Sequence, residues 1–245
     1  MGEEMRQILK KILDFFMPLF QKETPHAFSL PSASSKGTMH ILYEQEGKIQ
    51  RWTLPEFEKE MEITYILGLE FASAKIFKKV RATCAQAKKR GDVLPQEIWL
   101  GSVFEKEILE GKVGALYLRW IKPHIGYGLF AAEDLPKGYY VGEYAGVVRP
   151  FSQRKDAKNC YCFEYKIHLG GASSYTIDAQ DKGNLVRFIN HNSSSNLTPQ
   201  LAFCNGLQHV VLLTNQPVAK GCELTYDYGP TYWSKREMPL QGRER

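Results

Sequence analysis

The sequence lacks several features that would have assigned it quickly. Its five cysteines, Cys84, Cys160, Cys162, Cys204 and Cys222, include no Cys-x-x-Cys pair. The odd count argues against a complete disulfide framework, and the absent spacing argues against a structural zinc site. A reducing compartment during folding is the natural expectation. No apolar run approaches the roughly 20 residues that a helix needs to cross a bilayer. The start, Met1-Gly2-Glu3-Glu4, with Asp14 and Pro18 inside its apolar stretch, makes a poor secretory leader. No long Lys/Arg block occurs, so direct nucleic-acid binding and membrane attachment are not expected. The net charge of +5 over 245 residues is mildly basic and suits an acidic partner without demanding one.

Two grammars divide what is present. Residues 6–21 place Ile8, Leu9, Ile12, Leu13, Phe15 and Phe16 at helical spacing, an amphipathic face suited to core packing or a homodimer contact. Residues 24–37, with two prolines and four serines, read as a linker. His40–Tyr43 and Ile49–Thr53, around Glu46-Gly47-Lys48, suggest a small hairpin. Leu54-Pro55-Glu56 opens a helix, and good helix formers run from there to Arg90 with Gly68 as the one interruption. Lys88-Lys89-Arg90-Gly91 closes it as a solvated helix end. A further helix is expected from Pro95 to Glu110. Residues 1–112 are therefore read as a helical N-terminal region.

After Gly111 the pattern changes to short apolar or alternating runs separated by Gly and Pro, among them Tyr139-Tyr140-Val141 and Val210-Val211-Leu212-Leu213. This predicts an α+β chain: a helical region, a β-rich domain over 113–229, and a short tail over 230–245 without cysteines.

Chemistry-bearing residues concentrate in the β-rich part. Gly126-x-Gly128-x-x-Ala131 matches the dinucleotide fingerprint only formally, because Glu133-Asp134-Leu135-Pro136 follows where a helix would have to open. Glu143-Tyr144-Ala145-Gly146-Val147-Val148 reads as one strand. Tyr161 and Phe163 alternate onto one face if Asn159–Phe163 is extended. Asn190-His191 has no second histidine at ligand spacing and no nucleophile with a matching base, so neither a metal centre nor a hydrolytic base is expected there. Each stretch alone would be ordinary β protein, with its aromatics in a sheet core.

In order, however, Gly126-Tyr127-Gly128-Leu129-Phe130, Glu143-Tyr144-Ala145-Gly146, Arg187-Phe188-Ile189-Asn190-His191 and Glu223-Leu224-Thr225-Tyr226-Asp227-Tyr228-Gly229 resemble the SET domain of protein lysine methyltransferases. The resemblance covers about residues 113–233. It implies a fold of short-stranded sheets with a knot-like crossing, S-adenosyl-L-methionine as methyl donor, and a protein substrate with an exposed lysine. It implies that Gly126, Tyr127 and Gly128, Asn190 and His191, with Arg187 nearby, hold the donor, and that Tyr232 or Trp233 covers its adenine. Tyr144, Tyr161 and Phe163 would line the lysine channel, with Tyr161 also beside the donor. Tyr228 would stand where amine and methyl meet, and the hydroxyl of Tyr226 would restrict the product to one or two methyl groups.

Many relatives read Asn-His-Ser-Cys where this chain has Asn190-His191-Asn192-Ser193, and no cysteine follows Cys222. A zinc-closed tail is thus not available, and the chain resembles the compact bacterial members, the chlamydial SET proteins among them. That likeness implies histone or histone-like tails as substrate, synthesis in the cytoplasm and delivery to a host cell and its nucleus.

Overall fold

The computed structural model describes residues 39–167 and 174–234. The amphipathic stretch 6–21, the linker 24–37 and most of the tail lie outside the described residues.

The first element is the expected hairpin. Strands β1 (His40–Gln45) and β2 (Lys48–Thr53) pair antiparallel from His40↔Thr53 to Gln45↔Lys48. Glu46 and Gly47 between them both have positive φ, the backbone of a tight turn whose twist matches its strands. Helix α1 (Leu54–Met61) follows at once, with Pro55 in its first turn and the Glu56 carboxylate accepting from the Thr53 N–H at 2.7 Å.

The helix expected to continue to Arg90 does not. It stops at Glu62, which takes a left-handed conformation, and two short strands intervene, β3 (Thr64–Tyr65) and β4 (Glu70–Phe71). The reason is tertiary. Distant strands offer these backbones a ladder, Thr64 and Tyr65 pairing with Lys182 and Gly183, Glu70 and Phe71 with Val147 and Val148. Helix α2 (Ala74–Arg90) then starts anew, with Ser73 Oγ accepting from the Ile76 N–H, and closes on the left-handed Gly91. The expected 95–110 helix is likewise two, α3 (Pro95–Val103) and α4 (Glu105–Glu110), separated at Phe104.

The β-rich part comprises β5 (Leu116–Lys122), β6 (Gly126–Ala131), β7 (Tyr140–Glu143), β8 (Val147–Pro150), β9 (Cys162–Tyr165), β10 (Tyr175–Asp178), β11 (Lys182–Gly183), β12 (Asn190–His191), β13 (Leu197–Cys204), β14 (Leu207–Thr214) and β15 (Thr225–Tyr226). A four-residue helix, α5 (Gln153–Asp156), precedes β9, and α6 (Pro230–Trp233) ends the described chain. The strands form small mixed sheets: β2-β1-β5-β6, β4-β8-β10-β9, β13-β14-β7, and the two-stranded pairs β11-β3 and β12-β15. β1 is parallel to β5, so residues before 113 share sheets with residues after it. The stretch read as one strand over 143–148 is two, β7 and β8, belonging to different sheets with Tyr144–Gly146 as the corner.

One core serves both regions. Phe57 of α1, Val80 and Cys84 of α2, Leu118 and Leu129 of the first sheet, and Ile177, Val186 and Leu212 beyond are all fully buried in one cluster. Each large apolar side chain so buried contributes about 1.5–3 kcal/mol. Helix α3 lies on β13 in backbone contact, and a Cβ on Gly101 would sit 2.0 Å from the Phe203 carbonyl oxygen. Only a residue without a side chain lets helix and strand approach this closely.

Candidate active site

The site gathers where β12 and β15 meet. They pair in parallel, Asn190↔Thr225 and His191↔Tyr226, and so bring two distant motifs side by side. Asn196 braces the junction, donating to the Glu223 carbonyl at 2.8 Å and accepting from the Thr225 N–H at 2.9 Å. Both residues of β15 are buried, Thr225 and Tyr226 each 7% exposed, and Tyr228 packs beside Tyr226.

The aromatic rings form a continuous wall. Tyr144 lies 5.2 Å from Phe163, Phe163 lies 6.1 Å from Tyr226, and Tyr226 lies 4.7 Å from Tyr228, centroid to centroid. Phe163, Tyr226 and Tyr228 line a groove of about 560 Å³ that also runs past Glu164, Lys166, Leu201 and Tyr232. The groove borders β9, the outer strand of its sheet.

The hydroxyls inside this wall are directed. Tyr228 donates to the Ile189 carbonyl at 2.7 Å, and Tyr144 donates to the Tyr161 carbonyl at 3.0 Å. A phenol that donates its one proton to the backbone turns lone pairs to whatever stands in front of it. Burial, reinforced by neighbouring phenols, holds Tyr144, Tyr226 and Tyr228 well above the ordinary tyrosine range. All three are therefore neutral at physiological pH.

Behind the wall is a polar cradle. The Asn190 amide donates to Glu223 Oε1 at 2.8 Å and to the Tyr127 carbonyl at 3.3 Å. A Cβ on Gly128 would meet Glu223 Oε1 at 2.8 Å and Asn190 Nδ2 at 3.1 Å, so glycine is what keeps this corner open. Gly126 opens β6 at φ +82. His191 Nδ1 accepts from the Tyr228 N–H at 3.2 Å, which fixes the backbone that presents the phenol. Trp233 stands edge-on to His191 at 4.8 Å, and Tyr232 edge-on to Tyr228 at 4.7 Å, closing the same side. The Trp233 indole N–H is buried with no partner among the described residues.

Two expected site residues sit differently from the pattern. Tyr161 precedes β9 rather than lying on it, because Asn159 turns the chain there by accepting from the Tyr161 N–H at 2.8 Å. The Arg187 guanidinium lies 3.7 Å over the Tyr161 ring and donates to the carbonyls of Ala179 and Gln180, at 2.7 and 3.2 Å. Arg187 thus spends two of its donor groups on protein backbone. Behind Tyr161, Asp178 accepts from Arg149 and Asn159, both at 2.7 Å. Burial works against that carboxylate, but these hydrogen bonds outweigh it and keep its pKa below the usual range.

Glu223, Asn196 and the Ile189 carbonyl were not singled out in the sequence. Glu223 had one available signal, a carboxylate directly preceding the apolar Leu224-Thr225-Tyr226 run.

Comparison with known proteins decides the family of this unit, since residues 126–229 match the SET domain family. Residues 126–229 are a SET domain. Among curated proteins, the chain is 38% identical over 106 residues to the histone-lysine N-methyltransferase SETD2 of Homo sapiens, covering 42% of this chain and 4% of that one. It is 33% identical over 144 residues to the histone-lysine N-methyltransferase Set8 of Drosophila pseudoobscura pseudoobscura, covering 55% and 20%. It is 33% identical over 123 residues to the N-lysine methyltransferase KMT5A-A of Xenopus laevis, covering 44% and 36%. The match therefore spans at most about a third of these relatives' lengths. Among solved structures, that of ATXR5 in complex with histone H3.1 mono-methylated on R26 aligns with a TM-score of 0.55 at 20% identity, over 73% of this chain and 86% of that one, and shares the fold.

Proposed function

We propose that the chain is a protein-lysine N-methyltransferase that uses S-adenosyl-L-methionine and acts on lysines of histone or histone-like tails, adding one or two methyl groups. The observation that carries this reading is the Tyr228 hydroxyl. It is tied to Ile189, walled by Tyr226, Phe163 and Tyr144, and backed by the Asn190–Glu223–Gly128 cradle. The names of the curated relatives support the same activity.

The cradle suits the donor. A glycine strand lets a backbone approach, a carboxylate and a carbonyl stand ready for an ammonium group, and Trp233 packs against His191 beside them. Gly126, Tyr127, Gly128, Asn190 and His191 would hold its amino-acid end, and Trp233 with Tyr232 would cover its base. When bound, S-adenosyl-L-methionine supplies an electrophilic sulfonium methyl. Every other contribution belongs to the chain.

A lysine is charged at neutral pH, with an ordinary pKa near 10.4. The aromatic wall takes up its methylenes and desolvates the amine, which favours the neutral nucleophile. The Tyr228 oxygen, its proton given to Ile189, accepts an N–H of that amine and points its remaining lone pair. Since burial keeps Tyr228 protonated, its work is orientation and electrostatic support, not proton abstraction. The Tyr226 hydroxyl occupies the space a third methyl would need. In this reading the parallel β12–β15 pair is one half of the knot-like crossing expected for the fold.

The test is methyl-labelled donor incubated with histones and with a cell lysate, native protein beside Tyr228→Phe. Label on histones supports the reading in full, and label elsewhere keeps the activity while moving the substrate. No label despite retained peptide binding overturns it in favour of a recognition module without turnover.

A further inference from the structure

Helix α2 carries a charge that the site does not use. Its 17 residues hold seven cations and no acid, which makes +7 and leaves −2 for the other 228 residues of a chain whose net charge is +5. Lys75, Lys78, Lys79 and Arg81 lie in its first half and Lys88, Lys89 and Arg90 in its last turn, all exposed. Among the described residues, the ion pair recorded for this helix is Arg90–Asp92, at 2.8 Å. Among the described residues, six of the seven charges thus have no opposite charge in contact, Lys88 standing 5.1 Å over the Phe203 ring, and like charges at three- and four-residue spacing repel. The repulsion is tolerated because the inner face is fixed by Val80, Cys84 and Ala87, each 0% exposed.

We propose that α2 is a docking surface for the phosphate backbone of double-stranded nucleic acid. Two cation groups, about ten residues apart, stand roughly 15 Å from each other along a helix rising about 1.5 Å per residue. The exposed residues between them are small or neutral, Ala82, Ala85 and Gln86, so nothing projects to hold a groove edge away. That spacing lets one group meet each backbone across a major groove of about 12 Å. A helix seated in an anionic membrane would add large apolar side chains among the outward residues to its charge. Here the large ones, Ile76, Phe77 and Val80, turn inward to half-buried or buried positions. An acidic protein partner would need an aromatic or aliphatic anchor on the same face, and the outward face offers none. Phosphate contact needs only charge, which is what the face supplies.

The test is fluorescence anisotropy of the full chain, without methyl donor, against two unrelated 20-base-pair DNA duplexes, a polyglutamate peptide and phosphatidylserine vesicles. Expected is binding of both duplexes alike, with affinity falling steeply as salt rises. The variant Lys75→Gln/Lys78→Gln/Lys79→Gln should weaken duplex binding at least about 10-fold and flatten the log–log salt slope by about 3. The triple Lys→Arg variant should keep both, which guards against a loss that merely reports misfolding. Methylation of a short free peptide should be unchanged in either variant. Absence of duplex binding at 50 mM salt (roughly the low end at which such contacts are measured), an unaltered salt slope in the Gln variant, or equal binding of polyglutamate or vesicles would each overturn the proposal. None of those results bears on catalysis, so they leave the methyltransferase reading to its own test.

Discussion

Glu143 and Tyr144 are consecutive residues with opposite surroundings. Tyr144 joins the aromatic wall, where its hydroxyl and that of Tyr228 are parked on backbone carbonyls. Glu143, 1% exposed, belongs to a buried polar network on the other side. It meets His209 Nδ1 at 2.6 Å, while next to His209, Gln208 donates to Glu97 of α3 at 2.8 Å and accepts at its carbonyl from Tyr165 at 2.8 Å. The first region leaves its oxygen lone pairs for an incoming group. The second pairs Glu143 with His209 and Gln208 with Glu97, tying α3 to β14, while Glu143 Oε2 and Gln208 Oε1 stay buried with no partner among the described residues. Two consecutive residues therefore belong to a region built to interact and a region built to hold, and the two should fail in different ways.

The sharpest break in that contrast is at the ion pair. Removing one partner strands a buried charge, so Glu143→Leu should cost about 3–5 kcal/mol, read by denaturant unfolding. Burial alone would lower the pKa of His209, but the Glu143 carboxylate outweighs it and raises the pKa above the ordinary value of 6.5. The folded chain therefore binds that proton more tightly than the unfolded one. Its stabilisation is complete below about pH 6.5 and is lost as pH rises through the folded-state value. Tm should fall over that window in the native protein and less steeply in His209→Gln.

On the aromatic side, Tyr228→Phe should lower methylation by about 100-fold, equivalent to about 2.7 kcal/mol in the barrier, while Tm moves only as one hydrogen bond would require. A variant that lost fold and rate together would erase the distinction between the halves. Gly101→Ala should destabilise by about 1–3 kcal/mol, because a Cβ cannot share space with the Phe203 carbonyl. Calorimetry checks it, and activity per folded molecule should hold. Glu223→Gln keeps the size of the side chain but removes the charge beside Asn190. It should raise the KM for methyl donor about 10-fold, a loss of about 1.4 kcal/mol, with kcat little changed. The smallest effect on rate is expected from Tyr226→Phe. Mass spectrometry of its product should show a shift towards higher methylation.

The sequence made the wall more legible than the network. Gly126-x-Gly128, Asn190-His191 and Tyr226-x-Tyr228 lie in short stretches, and the structure brings Gly128, Asn190, His191, Tyr226 and Tyr228 together. Tyr161 lost its place on a strand to the Asn159 turn, a local hydrogen bond that alternation cannot anticipate. The Glu143–His209 contact spans 66 residues and leaves no local trace. The strands inside the expected 54–90 helix did leave one. Ile63-Thr64-Tyr65-Ile66 is a β-branched and aromatic run, and Ser73 is a good start for a second helix. Helix propensity summed over the whole window masked both signals.

The pairing of β12 with β15 is only two residues long on each side, yet it seats Asn190 and Tyr226 in the same centre. A chain emerging from a ribosome will have made most of its sheets before residues 225–228 appear. Competence to bind and react thus arrives in one late stroke of biosynthesis, and a protein clipped just ahead of Thr225 would retain most of its architecture and none of its chemistry.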